Sequence, residues 1–191
     1  MGNRDVNRWK GFVLGAGDGI AGILAMRYYW KAVTAITGGD PRKASGPAAK
    51  HPPQPLDHVS LIGKHHQQGE SSTAAAGRIL YTALTGKPPQ SAETKTVLSY
   101  VVDWVISLGA AGAYGAWRGS ARFPDVPGGL VLGVGLWLGG DEAVMPLTGL
   151  TAGPTAYTPA LHAHALGAHL AYGLASSAAA QALQAVTDAA G

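Results

Sequence analysis

Four long runs of apolar residues alternate with polar segments along this chain of 191 residues. The runs cover about residues 11–36, 96–117, 126–147 and 159–186. Each holds about 20 residues or more, the length at which a helix crosses a hydrocarbon core about 30 Å thick. The pattern predicts an all-α integral membrane protein, a four-helix bundle that forms a single membrane domain over residues 1–191.

The polar stretch of residues 37–95 separates the first two runs and contains one further predicted helix, over residues 72–85. Ser71 or Ser72 is suited to cap its start, and Gly86 to end it. Its apolar side chains recur on one face: Ala76, Ile79, Leu80, Ala83 and Leu84. This pattern predicts an amphipathic helix that rests on the bilayer surface or on the ends of the bundle.

Small residues recur at helical spacing in the first two runs, which predicts faces where neighbouring helices approach closely. The glycines concerned are Gly11, Gly15, Gly19 and Gly22 in the first run, and Gly109, Gly112 and Gly115 in the second. Such faces serve packing within one chain or the assembly of a homo-oligomer or a larger membrane complex.

Composition agrees with a membrane protein and excludes several other classes. Charged residues make up 13% of the chain, about half the usual share of a soluble domain. The chain has no cysteine, so disulfides and thiolate metal sites are excluded. Its basic residues are scattered and not interleaved with aromatic ones, which argues against a nucleic-acid surface. Asp18 inside the first run argues against a cleaved signal peptide and for a retained helix.

Charge in the links predicts an orientation. The link after the second run carries Arg118 and Arg122, whereas the link after the third run has no charge. The positive-inside rule then places the arginine-bearing link and both termini in the cytoplasm, with residues 37–95 outside.

Ionisable residues interrupt segments that otherwise suit lipid. A carboxylate at membrane depth costs on the order of 3 kcal/mol, so such groups are usually paired, neutralised or turned into the protein. We predict an intramembrane polar cluster drawn from all four runs: Asp18, Asp103, Asp141, Glu142, His162 and His169. A cluster of this kind needs a proton or a cation to be stable.

The acidic pair at the end of the third run is adjacent in sequence, so Asp141 and Glu142 point about 100° apart on a helix. We predict that one carboxylate faces inward and the other reaches the interface. The alternative hypothesis is that Gly139-Gly140 ends the regular helix and that both acids lie among wet headgroups.

The histidines of the fourth run leave three interpretations open. His162 and His169 are seven residues apart, so they share a face with Cα atoms about 10 Å apart. One could hydrogen-bond a carboxylate and tie two helices together, or take part in proton exchange. The third interpretation is a metal site, with His162, His169 and Glu142 as candidate ligands. The sequence itself requires no cofactor.

The last two runs resemble the YagU family of bacterial inner-membrane proteins, a domain of unknown function. The resemblance rests on Asp141-Glu142, the link motif Gly149-Leu150-Thr151-Ala152-Gly153-Pro154, His162, and His169-Leu170-Ala171-Tyr172-Gly173. Leu84-Thr85-Gly86 and Gly112-Ala113-Tyr114-Gly115 also match, so the resemblance covers about residues 71–174. The family often has a histidine where this chain has Asp103.

The resemblance implies a multi-pass protein of the bacterial inner membrane, and it implies no particular activity. Three functions follow as hypotheses. The polar cluster organises helix packing or assembly, or it handles protons or cations in transport or pH sensing, or it forms a metal-dependent membrane enzyme. The last finds no nucleophile–base pair in the sequence, so an enzyme is the weakest of the three. The lipid bilayer is the one partner that all three share.

Overall fold

The fold is built from long helices, as the apolar runs predict. A computed structural model describes residues 8–44, 52, 54–118 and 126–189. Five helices dominate it: α1 (Arg8–Thr37), α2 (Ser72–Thr85), α3 (Ala92–Arg118), α4 (Val126–Leu147) and α5 (Pro159–Ala189). Single helical turns cover Pro41–Ala44, Pro55–Asp57 and Pro154–Ala156. The part of the chain described here contains no β-strand, so the all-α prediction is confirmed.

The predicted caps of α2 are confirmed, and a serine also caps α3. Ser71 Oγ accepts a hydrogen bond from Ala74 N–H at 3.2 Å, and Gly86 ends α2 in the left-handed region with φ 75°. Ser91 Oγ accepts from Thr94 N–H at 3.0 Å at the start of α3. Capping side chains satisfy N–H groups that have no partner in the first helical turn.

Helix α2 packs on α3 through small residues that lie away from its predicted apolar face. Thr73 Oγ1 lies 2.8 Å from Ser99 Oγ, and Gly77 is buried against Leu98. Large residues of the predicted apolar face are exposed: Ile79 (37%), Leu80 (56%) and Leu84 (78%). The small side chains at 73, 75 and 77 allow the backbones to approach, whereas the larger apolar ones remain free for an external surface.

The described residues divide into two compact units. The first unit comprises Met1–Lys31, Ile106–Leu136 and Leu166–Gly191, and the second comprises Ala32–Val105 and Trp137–Ala165. Helices α1, α3, α4 and α5 each contribute residues to both units. Helix α2 belongs to the second unit alone.

Glycines bring helices together in the first unit. A Cβ atom added at Gly15 would lie 2.5 Å from Ala111 O, and one added at Gly133 would lie 2.5 Å from His169 O. Backbone is therefore in contact with backbone where α1 meets α3 and where α4 meets α5. Tyr172, which is 1% exposed, adds a hydrogen bond from its hydroxyl to Ser107 O of α3 at 2.5 Å.

The predicted glycine faces are largely confirmed, with one correction. Gly11, Gly15 and Gly115 form the contact between α1 and α3, but Gly109 has no neighbour within 4 Å of the space its side chain would occupy. Six residues turn a helix through about 600°, so Gly109 faces about 120° away from Gly115. The confirmed glycines are engaged within the chain, so a homo-oligomer would have to use other surfaces.

Among the residues that the structure describes, two helices are long and apolar enough to cross a membrane, Ala92–Arg118 and Val126–Leu147. Only 11% and 17% of their most apolar windows are buried inside the protein. The core helix of a soluble protein would be mostly buried, so these helices present apolar surface outward. Helices α1 and α5 have 30 and 31 residues, but they do not contain a stretch that meets the same test of hydropathy and charge.

Candidate functional site

Helix α4 widens into a π-helix where the acidic pair lies. Val126–Gly135 is regular α-helix, Leu136–Val144 is π-helix, and Met145–Leu147 is α-helix again. The regular α-helix therefore ends at Gly135, just before the predicted Gly139-Gly140, and the chain continues as π-helix past both glycines. The π-helix ends two residues before Pro146, whose ring would clash with the carbonyl of residue 142 in a regular α-helix. Stretches of π-helix are rare and are often found at functional sites.

Glu142 and His162 form the centre of the candidate site. Glu142 Oε1 lies 2.5 Å from His162 Nδ1, and His162 Nε2 lies 2.9 Å from the backbone oxygen of Pro154. Both side chains are mostly buried, at 16% and 25% exposure. His162 is in the first turn of α5, so the contact joins the end of α4 to the start of α5.

The two hydrogen bonds of His162 restrict where its protons lie. A carbonyl oxygen only accepts hydrogen bonds, so Nε2 carries a hydrogen and donates it to Pro154 O. The hydrogen between Nδ1 and Glu142 Oε1 then belongs to an imidazolium beside a carboxylate, or to a carboxylic acid beside a neutral imidazole. Either way the pair shares one proton and has no net charge, which lowers the cost of burying it.

Asp57 fixes the link that presents Pro154 to the histidine. Its Oδ1 accepts from Thr155 Oγ1 at 2.7 Å, and its backbone oxygen accepts from Gly153 N–H at 2.8 Å. Its Oδ2 accepts from Gln54 N–H at 2.8 Å, and the residue is only 9% exposed. Because Gly153 and Thr155 flank Pro154, Asp57 holds the carbonyl of Pro154 in place from both sides.

Gly149 is a second anchor for the same link. Its φ of 69° lies in the left-handed region, and a Cβ atom there would overlap Gly63 O. Its backbone oxygen accepts from the N–H groups of His65 and His66 and from His66 Nδ1, each at 2.9 Å. Glycine is therefore required here by both the backbone conformation and the close approach. We call residues 54–66 the docking segment, because they hold the link between α4 and α5.

Arg78 of α2 joins the docking segment by a hydrogen bond and Glu70 by an ion pair. Arg78 Nε and Nη2 donate to the two carboxylate oxygens of Glu70 at 2.8 and 2.9 Å, and Nη2 also donates to His65 O at 2.5 Å. Burial acts to raise the pKa of Glu70, but Arg78 and the Gln67 N–H outweigh it and hold this pKa below its ordinary value. The same ion pair raises the pKa of Arg78.

Tyr157 completes the surroundings of the histidine. Its ring meets the His162 ring edge-on, with centroids 6.2 Å apart and planes at 81°. Burial raises the pKa of Tyr157, and the nearby carboxylates of Asp141 and Glu142 raise it further, against a backbone hydrogen bond from Ala152. Its hydroxyl is therefore protonated at neutral pH and next to the acidic pair.

The structure brings some of the predicted site residues into contact and places others in different units. Glu142 and His162 are brought together, and Asp141 is exposed while Glu142 is not, so the two acids face different surroundings. Asp103 is half-buried on α3 in the second unit. The half-buried Asp18 and His169 belong to the first unit. The convergence of all four helices at one polar point therefore stays a prediction.

The candidate metal ligands form no complete site. In residues 8–44, 52, 54–118 and 126–189, no group of three or more His, Asp or Glu side chains could hold a metal ion. Glu142 and His162 offer two donor groups, and a structural zinc site needs four. The link with Arg122, on which the predicted orientation depends, lies outside the described residues.

Three groups that build the site were not predicted: Asp57, Tyr157 and the carbonyl oxygen of Pro154. Every residue has a backbone oxygen, so the sequence could not single out Pro154. Asp57 lies in a Pro-rich polar stretch that predicts irregular structure. The one available signal was the pair of glycines at 149 and 153, which indicates that another segment approaches the link closely.

Comparison with known proteins adds no further assignment. No protein-family model, curated protein or solved structure matches the chain. The resemblance to the YagU family therefore stays a proposal, and function has to be argued from the site.

Proposed function

We propose that this chain is a small multi-pass membrane protein in which the Glu142–His162 pair fastens helices α4 and α5 and so organises packing or assembly. The observation that carries the proposal is the pair of hydrogen bonds on His162, one to Glu142 and one to Pro154. Both ring nitrogens are engaged by groups of the protein itself. A histidine held in this way is suited to joining segments and poorly placed to take up a ligand.

The membrane part of the proposal rests on helix length and on exposed apolar surface. Helices α3 and α4 meet the length and hydropathy expected of a span. Helices α1 and α5 have 30 and 31 residues, and each is about 45 Å long. Both are therefore long enough to cross the bilayer as well, which would give four spans. We propose four spans, a bacterial inner membrane as the YagU resemblance implies, and cytoplasmic termini from the positive-inside rule.

Proton handling is a second candidate function, favoured by the shared proton and by Tyr157. The π-helix places Glu142 next to a histidine that can exchange that proton, and the protonated Tyr157 hydroxyl lies near the acidic pair. Transport would require the proton to leave the pair on one side of the membrane and return from the other. The two hydrogen bonds that hold His162 would have to break in that cycle.

A measurement of proton flux in liposomes distinguishes proton handling from the packing role. The full chain is reconstituted with an internal pH dye, and a proton gradient is applied to the wild type, Glu142→Gln and His162→Gln. His164→Gln is the matched control, because it replaces a histidine two residues further along α5. We expect wild-type liposomes to lose the gradient no faster than empty ones.

The melting temperatures of the same variants in detergent test the packing role directly. We expect Glu142→Gln and His162→Gln to lower the melting temperature, since each leaves its partner in a mostly buried position without its charge-assisted bond. His164→Gln should change it far less. The contrary outcome is a wild-type proton flux well above that of empty liposomes, together with a Glu142→Gln variant that has no such flux and still melts at the wild-type temperature. This outcome would contradict the packing role and support proton handling.

A further inference from the structure

A groove opens in the first unit where α3 ends and α4 begins. It encloses about 450 Å³, a volume in the range of small-molecule sites. Its walls come from the last turn of α3 and the first turns of α4: Tyr114, Trp117, Arg118, Pro127, Gly128 and Val131. Most of the lining is apolar, and Arg118 supplies its one positive charge.

The three residues from α3 combine a cation with two aromatic rings. Arg118 Nη1 donates to Tyr114 Oη at 3.3 Å, and the guanidinium lies 5.5 Å from the centre of the Tyr114 ring. The ring of Trp117 lies 6.0 Å from that of Tyr114, and Trp117 is 77% exposed. A guanidinium is a planar fork of N–H donors that matches a phosphate, and Trp and Tyr are enriched where headgroups meet acyl chains.

The position of the groove fits a lipid better than a soluble anion. Its walls belong to the two helices that are long and apolar enough to span a membrane, and it lies at their connected ends. If these helices span the bilayer, their connected ends lie at the level of the headgroups. Apolar side chains such as the 61%-exposed Val131 continue from the groove along α4, where an acyl chain would run.

We infer that this groove binds an anionic phospholipid, with the phosphate at Arg118, the headgroup beside Trp117 and an acyl chain along Val131. Basic pockets between spanning helices on the cytoplasmic side commonly bind anionic headgroups. The inference rests on the proposed membrane placement and adds to it a preference for one class of lipid.

Quenching of tryptophan fluorescence by brominated lipids tests the inference. The full chain is reconstituted in vesicles with brominated phosphatidylglycerol or brominated phosphatidylcholine, and Trp117→Phe identifies the part of the signal that Trp117 contributes. We expect the Trp117 signal to respond to phosphatidylglycerol at about fivefold lower mole fraction than to phosphatidylcholine. Arg118→Gln should abolish that preference, whereas Arg42→Gln, which removes an arginine of the second unit, should keep it.

Each of the other outcomes contradicts the inference, and each shows which part of it is wrong. Equal quenching of Trp117 by the two lipids would overturn the anionic site and leave the membrane placement intact. A preference that survives Arg118→Gln would overturn the assignment of the phosphate to Arg118. No quenching of any tryptophan by either lipid would overturn the membrane placement itself, and the site with it.

Discussion

The contacts that stabilise the first unit internally differ in kind from those that stabilise the second unit internally. In the first unit, glycines allow helix backbones to touch, as Gly133 does at His169 and Gly15 does at Ala111. In the second unit, side chains hold backbone by hydrogen bonds, as Asp57 does at Gly153 and Thr155.

The difference follows from what each unit contains. In the proposed membrane placement, the apolar helices of the first unit gain little from the hydrophobic effect on association, so close van der Waals packing of small residues holds them. The second unit has long irregular segments whose backbone groups need hydrogen-bond partners. The two units should therefore respond to opposite changes: added volume should disrupt the first, and loss of a polar group should disrupt the second.

The largest expected effect is overpacking in the first unit. Gly133→Ala places a methyl group 2.5 Å from His169 O and 3.0 Å from Leu170 Cα, and neither backbone atom can move aside easily. We expect a loss of about 3 kcal/mol, at the upper end for overpacked cores, measured by thermal unfolding in detergent. Gly135→Ala on the same helix meets no atom within 4 Å and should be neutral or slightly stabilising. Equal effects at the two positions would contradict packing by glycine contact.

The next effect is loss of a polar anchor in the second unit. Asp57→Ala leaves the Gln54 N–H and the Thr155 hydroxyl without their acceptor, and we expect it to cost about 2 kcal/mol. Asp40→Ala is the control, since it removes an ion pair to the half-exposed Arg42 and should cost less than about 1 kcal/mol. If Asp57→Ala were as mild as Asp40→Ala, the docking segment would not hold the link.

A smaller effect, of about 1 kcal/mol, should appear as a pH dependence of the second unit. Because the pKa of Glu70 is lower in the folded chain than its ordinary 4.5, its ion pair with Arg78 stabilises the fold above pH 4.5. That contribution is lost as pH falls through 4.5 toward the lowered pKa. The melting temperature of Glu70→Gln, compared with the wild type between pH 7 and pH 3, should show less of this decline. Parallel curves for the two proteins would contradict the assignment.

The sequence predicted the helices better than it predicted the site. Apolar runs and caps placed all five helices within a few residues of their observed ends, because length, hydropathy, Ser91 and Gly86 act locally. The sequence did not predict which face of α2 packs on α3, since large apolar side chains indicate burial and do not say whether protein or lipid covers them. Thr73 and Gly77 pack instead because they are small.

The site depends on contacts between residues that are far apart in sequence. Glu142 and His162 were both candidates, but the choice of His162 over His169 follows from the π-helix and from the carbonyl of Pro154. That carbonyl is in turn held by Asp57, about 100 residues earlier in the chain. No local pattern carries information of this kind.

The most direct test of the account is a double-mutant cycle at the pair itself. Unfolding free energies in detergent are measured for the wild type, Glu142→Gln, His162→Gln and the double variant. Since His162 Nδ1 lies 2.5 Å from Glu142 Oε1, we predict that the effects are non-additive by at least about 0.5 kcal/mol, with the double variant less destabilised than the sum of the single ones. Additive effects would mean that Glu142 and His162 do not stabilise each other, and would contradict the proposal that this pair fastens α4 to α5.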